Sequence, residues 1–424
     1  MHRVKIHHLK SQFLLGLAAV VLFFQPLRAE ESPVKDPWMK WDLATGDWFG
    51  NRPLLRDDGF DFTATYTSQV WGNTVGGLRT GATYFGLLQF GLAADLEKAI
   101  GWQGGSFNTT WIWISGTPPA PELVGSNFGL SNFEGPACFR ALDLWLQQKL
   151  FSDQLTLRAG MFNVDSEFTV SDKAALFQYG GFGWPILYNG DMGGSPAYPY
   201  AAPGVYMAVE PGGGWKFQAA VMQGTVLPDS VNPTNFAWDF DRLNGYLLIG
   251  EAWYGWDDAK LPGTFKLGAM FDTGYSPYSD GTGSAWGDSF FYGIIDQWVY
   301  REPGSQPDSP QGLAAFVRSG FTGSPDQTPL SFIFNSGLTY TGLIPGRDSD
   351  AFGIALCWDT LTPGATGELS GPESGLEIVL EATYQAQITP WLSIQPDVQY
   401  VIQPGGNGAV PNAFVLGLAC SIDF

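Results

Sequence analysis

The chain has 424 residues, a formal net charge of −20 and a mean hydropathy of −0.02. Such acidity argues against nucleic acid as a partner. All three histidines (His2, His7 and His8) fall within the first ten residues, so behind a cleaved leader neither a Ser-His or Cys-His nucleophile nor a histidine metal site can be built.

The leader is read from Arg3, Lys5 and Lys10, an apolar core over 13–24, and Leu27-Arg28-Ala29 before a cut after Ala29. The core is too short to span a bilayer as a helix, so residues 1–29 are expected to be a signal peptide for export. The leader carries four basic and no acidic side chains, so its removal leaves a formal charge of −24. No later stretch reaches about 18 consecutive apolar residues, so no transmembrane helix is expected.

Residues 30–61 lack strand alternation. Asp36-Pro37-Trp38 and Gly46-Asp47-Trp48-Phe49-Gly50 suggest turns packed by tryptophans, at or inside the periplasmic mouth of a barrel. From 62 onward sixteen strand-like segments follow: 62–71, 84–94, 106–114, 141–150, 155–162, 204–210, 215–222, 246–254, 265–272, 291–300, 312–319, 333–341, 352–359, 377–388, 392–402 and 414–424. Residues 95–100 read as one helical turn between two of them. An even count suits a single-chain outer-membrane barrel. The predicted fold is all-β: a sixteen-stranded antiparallel transmembrane β-barrel over 62–424.

The last strands carry the clearest alternation. Phe414, Leu416, Leu418, Cys420, Ile422 and Phe424 share one face; Ala413, Val415, Gly417, Ala419, Ser421 and Asp423 share the other. Ile378, Leu380, Ala382 and Tyr384 alternate with Glu377, Val379, Glu381 and Thr383. Leu392, Ile394, Val398 and Tyr400 alternate with Ser393, Gln395, Asp397 and Gln399. An oily face toward lipid and a hydrophilic face around water account for both sets. A soluble sandwich has the same parity; the leader, the terminal Phe424 and the strand count favour the barrel.

With Phe424 ending on the periplasmic side, counting back places the tight turns at 151–154, 211–214 and 389–391 there too. The long connections 115–140, 163–203 and 223–245 then lie outside. The 163–203 connection is too long for an idle loop. It holds Glu167, Phe168, Asp172, Phe177, Gln178, Trp184, Tyr188, Asp191, Tyr198 and Tyr200, and is expected to fold into the barrel and narrow the pore. A mobile external loop is the alternative.

The motifs resemble the carbohydrate-selective porins of the OprB family. Gly46-Asp47-Trp48-Phe49-Gly50-Asn51-Arg52-Pro53 with Leu55 and Gly59-Phe60-Asp61-Phe62 is similar to that family's N-terminal GDWGGxRxxLxxxGI, with Phe49 in place of one glycine. Thr83-Tyr84-Phe85-Gly86, Asp95-Leu96-Glu97-Lys98, Leu155-Thr156-Leu157-Arg158-Ala159-Gly160, Glu167-Phe168 and Tyr200-Ala201-Ala202-Pro203-Gly204-Val205 match later blocks. Gly342-Leu343-Ile344-Pro345-Gly346-Arg347-Asp348 and the run from Pro390 to Tyr400 complete the resemblance. It implies a sixteen-stranded outer-membrane channel for passive diffusion of glucose and related sugars. Family members often carry an arginine in the final strand; here that place reads Gly417-Leu418-Ala419-Cys420.

A sugar pore needs hydrogen-bonding groups for hydroxyls and aromatic faces for C–H surfaces, with charged partners bonding more strongly. Constriction candidates are Arg79, Arg158, Asp165, Glu167 and Trp184; lumen-lining candidates are Asp143, Gln147, Glu381, Gln395, Asp397 and Gln399. Arg158 and Glu167 suit sugar contact and a wall-to-loop ion pair equally. Arg79 also reads as an exposed loop charge, and Trp184 as loop packing. Trp111 and Trp113 read as a lipid-interface girdle. Asp165 and Glu167 are two apart, which among 41 acids is no sign of a glycosidase pair. Cys138, Cys357 and Cys420 suggest neither a disulfide framework nor a metal site. No catalytic residue, metal or cofactor is expected.

The expected function is passive diffusion of carbohydrates across a bacterial outer membrane. Expected partners are carbohydrate solutes, outer-membrane lipids and the barrel-assembly machinery acting on the C-terminal strand; the architecture also permits a homo-oligomer. A general or cation- or amino-acid-preferring porin of the same fold, and a surface structural or adhesive barrel, remain the other readings.

Overall fold

The computed structural model describes residues 37–184, 196–256, 261–278, 283–303, 309–362 and 375–424. The leader, Asp36, Tyr188 and Asp191 lie outside the described residues. The strands are β1 (Phe60–Val75), β2 (Gly81–Asp95), β3 (Gly105–Gly116), β4 (Cys138–Leu150), β5 (Leu155–Phe162), β6 (Ala202–Gly212), β7 (Trp215–Gln223) and β8 (Tyr246–Trp256). They continue as β9 (Gly263–Pro277), β10 (Ser284–Arg301), β11 (Gly312–Thr322), β12 (Leu330–Thr341), β13 (Ala351–Leu361), β14 (Leu376–Thr389), β15 (Leu392–Ile402) and β16 (Ala413–Asp423).

Each strand pairs antiparallel with its neighbours in sequence, and β16 pairs with β1 to close the barrel. Closure leaves no sheet edge, so the strands satisfy their own backbone groups, as a bilayer requires. No helix among the described residues is long and apolar enough to cross a membrane. All sixteen predicted segments fall on strands. The largest difference is β10, which begins at Ser284 instead of 291 because pairing continues through a bulge at Trp286/Asp288.

Side-chain exposure follows the predicted parity. On β16 Leu416 and Leu418 are 45% and 50% exposed, while Val415 is fully buried. On β14 Leu380 faces out and Val379 and Glu381 face in, both buried. An oily row of this kind would be costly in water, at about 1.5–3 kcal/mol per large apolar side chain; against lipid it is the stable choice. Aromatics border the band at both ends. Trp215 and Tyr254 (ring centroids 4.8 Å apart) lie near the short turns, and Tyr275 and Trp286 (5.0 Å) near the long loops. Trp113 is on the outer face, 54% exposed, which fits a girdle position.

A short helix, α2 (Leu96–Ile100), links β2 to β3. It starts because the Asp95 carboxylate accepts the Glu97 and Lys98 N–H groups, and it stops at Gly101, whose φ of 76° suits glycine.

Residues 37–59 cap the rim of short turns. The Trp38 ring packs on Trp391 in the β14–β15 turn (4.4 Å). In α1 (Asn51–Asp57) the buried Arg52 lies over the Trp48 ring (4.4 Å) and donates to the carbonyls of Phe62 (3.0 Å) and Phe424 (2.7 Å). Ala44 N–H donates to the Asp423 carbonyl (2.8 Å). This segment therefore clasps the β1–β16 seam, which is also bonded on the lumen side through Thr65–Asp423 (2.7 Å) and Thr67–Ser421 (2.9 Å). Arg52→Ala should cost about 2–3 kcal/mol through lost charge-assisted bonds. The temperature at which the unheated barrel loses its compact gel mobility should fall, with the sheet otherwise intact by circular dichroism.

Candidate functional site

Two long connections enter the barrel from the rim opposite Phe424. The first, 117–137 between β3 and β4, opens with a π-helical turn, Ala120–Val124. The second runs from β5 to β6 and includes the short turns Val164–Ser166 and Gly180–Phe182. They bond to each other, Gly180 N–H to the Gly129 carbonyl at 2.8 Å. Their apolar side chains (Phe128, Leu130, Phe177, Tyr179 and Phe182) pack with inward-facing Phe316, Val379, Val401 and Val415 as a core inside the lumen.

The wall holds the loops by their backbone. Glu381 accepts the Gln178 and Tyr179 N–H groups (2.6 and 2.9 Å), and Glu377 accepts the Asn127 N–H and the Tyr179 hydroxyl. Glu251 accepts Thr169 N–H (3.2 Å), and Asp296 accepts the Ser171 hydroxyl and Asp172 N–H. Opposite in sense, Arg318 donates to the carbonyls of Thr169, Gly181 and Gly183 at 2.6–3.1 Å, and Lys266 to that of Val170 at 2.6 Å. Carboxylates thus take loop donors and cations take loop acceptors, which satisfies backbone that would otherwise be buried unpaired.

A cavity of about 510 Å³ remains on one side, between β2, β4 and the two loops. That volume is in the ~300–1,000 Å³ range of small-molecule sites. Asp143, Asp165 and Trp184 line it, with Glu134, Asn132 and Asn163. Burial pushes the Asp165 carboxyl up to about 6 despite the Tyr198 N–H and Asn163 hydrogen bonds. Burial likewise pushes Glu134 up to about 7, against N–H groups of Ala120 and Leu130.

The other predicted residues lie elsewhere. Arg158 and Glu167 form a wall-to-loop ion pair (2.6 Å); Arg158 also donates to Gln147 (3.0 and 3.1 Å) and lies over the Trp145 ring (4.3 Å). Arg79 stands apart, paired to Glu122 of the first loop, both about half exposed. Glu381, Gln395, Asp397 and Gln399 do point inward, but they are buried under the loops. Gln395 donates to the Leu176 carbonyl (2.8 Å) and Gln399 to that of Leu130 (2.9 Å).

Sequence reasoning missed the entry of 117–137 and the brace formed by Arg318, Lys266, Glu251, Asp296 and Glu377. One signal was present: Val379, Val401, Val415 and Cys357 occupy inward parity, and apolar inward residues imply something packed on them. It also missed four cations laid on two tryptophans: Lys216 and Lys266 over Trp253 (4.4 and 3.7 Å), and Arg301 of β10 and Lys173 of the second loop over Trp298 (4.6 and 4.3 Å).

The profile of the carbohydrate-selective porin, OprB family, matches residues 79–424. The chain belongs to that family. As an OprB-family porin it is an outer-membrane channel for passive passage of carbohydrates. It is 25% identical to Porin B of Pseudomonas aeruginosa, with 90% of this chain and 91% of the relative aligned. The high-pH structure of Pseudomonas putida OprB superposes with a TM-score of 0.83 at 22% identity, covering 92% of this chain and all of that one. The low-pH structure of the same protein gives 0.61 at 19% identity, over 91% and 99%. Where family members often carry an arginine in the final strand, Ala419 lies opposite Gln69. Gln69 donates instead to the Gln178 side chain of the loop (2.9 Å) and accepts from Trp71 (3.0 Å).

Arg318→Met should loosen the loop, because the Thr169 and Gly183 carbonyls lose the guanidinium and that of Gly181 keeps only Asn335 (2.6 Å). Single-channel conductance in planar bilayers should rise and become noisy. The chamber carboxylates set a pH dependence. Asp165 and Glu134 have raised pKa values, so they are neutral at acid pH and gain charge as pH climbs through about 6 to 7. The cation-to-anion permeability ratio from reversal potentials should therefore increase between pH 5 and pH 8, and Asp165→Asn with Glu134→Gln should flatten that rise.

Proposed function

We propose that carbohydrates diffuse through the chamber between β2, β4 and the two inserted loops, and that the loop 163–203 is the constriction. The observation that supports this most is the loop brace. A segment whose backbone is hydrogen-bonded by at least six wall side chains is built to stay inside the lumen while solute passes. Trp184 and the acidic and amide side chains beside it supply a ring face and polar partners for a sugar, and several weak contacts in sequence allow release as well as entry. The Arg158–Glu167 pair fixes the width of the passage below the chamber, and transport requires no catalytic step. The last strand, with its outward Phe414, Leu416, Leu418 and Phe424, is the segment offered to the barrel-assembly machinery.

The second reading, a cation-preferring porin, draws on the carboxylates of the chamber. Titration of single-channel current with glucose separates the two. A saturable block by glucose supports the carbohydrate channel; an unaltered current with strong cation selectivity supports the second. Arg158→Ala and Glu167→Ala should change glucose flux into proteoliposomes several-fold more than they change ionic conductance, because the ion pair shapes the path of a bulky solute while small ions go round it. Equal effects on both would remove these two residues from the sugar path.

A further inference from the structure

The lining of the chamber is rich in acceptors, and several of its donors are spent on the protein, the exposed Gln89 amide being the exception. The Asn132 amide nitrogen donates to the Phe177 carbonyl (2.7 Å), and the Asn163 side chain bonds Asp165. The Oδ1 atoms of both asparagines have no hydrogen-bond partner. Asn163 is only 6% exposed, so its oxygen is a buried acceptor that protein leaves unfilled. The Tyr198 hydroxyl, another donor on the lining, is taken by the Phe133 carbonyl (2.9 Å).

Carboxylates of Asp143, Asp165 and Glu134 add to this set, and among the described residues no lysine or arginine lines the cavity. The nearest inward cations are committed elsewhere. Arg158 is bonded to Glu167 and Gln147, and Arg318 to three loop carbonyls. Lys216 and Arg301, stacked on Trp253 and Trp298, sit toward the short-turn mouth.

A buried acceptor without a donor is costly and a bound solute that supplies one removes the cost. A hydroxyl supplies one proton. A primary ammonium supplies three and a charge that carboxylates attract, whereas a carboxylate on the solute supplies none and is repelled. We propose that the chamber recognises its solutes by the hydrogen bonds they donate, taking an amino sugar in preference to the neutral hexose and disfavouring the sugar acid. This rests on the reading of the chamber as the carbohydrate path.

The test uses the full-length protein in planar bilayers and proteoliposomes at about 0.1 M salt, where screening is moderate. Block of single-channel current and uptake of labelled solute are compared for glucosamine, glucose and glucuronate. Half-blocking concentrations should be lowest for glucosamine and highest for glucuronate, each step about threefold or more, as expected for two carboxylates acting across several ångströms of wet lumen. Asp143→Asn should narrow the glucosamine-to-glucuronate ratio, and Asp143→Asn with Asp165→Asn should narrow it further. Unheated gel mobility verifies that each variant is folded; if the double variant is not, the single variant carries the test. Equal block by all three sugars, or a ratio unmoved in folded Asp143→Asn, overturns the inference and leaves the channel reading standing. Failure of glucose itself to enter overturns both.

Discussion

The structure depends on one arrangement: charged side chains on the inner wall saturate the backbone of two loops that have left water. A loop inside a barrel has no sheet partner, and each unpaired N–H or carbonyl would be costly. The wall answers with Glu381, Glu377, Glu251 and Asp296 for the donors, and Arg318 and Lys266 for the carbonyls. The large excess of acid in the chain is thus partly structural. Several carboxylates that a composition count would assign to a watery lumen are bonded to protein.

The brace also explains why the lumen has a hydrophobic core. Once the loop backbone is satisfied, its aromatic side chains can bury against Phe316, Val379 and Val415. The barrel therefore has two apolar surfaces of different kinds. The outer one is exposed to lipid along the whole circumference, and the inner one runs over the inward faces of β6–β16, with a smaller cluster on β2–β4. Between the loops, β2 and β4 an open space remains, lined by polar side chains such as Gln89 and Asp143 together with apolar ones such as Leu142 and Phe133.

Most of the fold was legible because a barrel wall separates two environments at every residue. Leu416 and Val415 are both apolar, yet the alternation with Gly417 and Ser421 still sorts them correctly. Parity tells which way a side chain points but not what stands opposite it, so Glu381, Gln395 and Gln399 could be placed inside without revealing that loops cover them. The same holds for Arg158: its strand puts it in the lumen, while its partner Glu167 is fixed only by how the next loop folds. At Phe49 the sequence shows a departure from the family motif, and the backbone supplies its meaning. Phe49 has φ of 59° and is 85% exposed, a left-handed conformation that glycine adopts without steric cost.

The eccentric position of the open space divides the circumference into two zones under separate demands. On the proposed path, changes at Gln89 of β2 and Asp143 of β4 reach the permeating molecule directly. Changes on β11, β14 and β15 disturb the anchorage first, and alter permeation only through it. A lineage adapting to a new nutrient can therefore drift along one side of the cylinder while the other stays fixed.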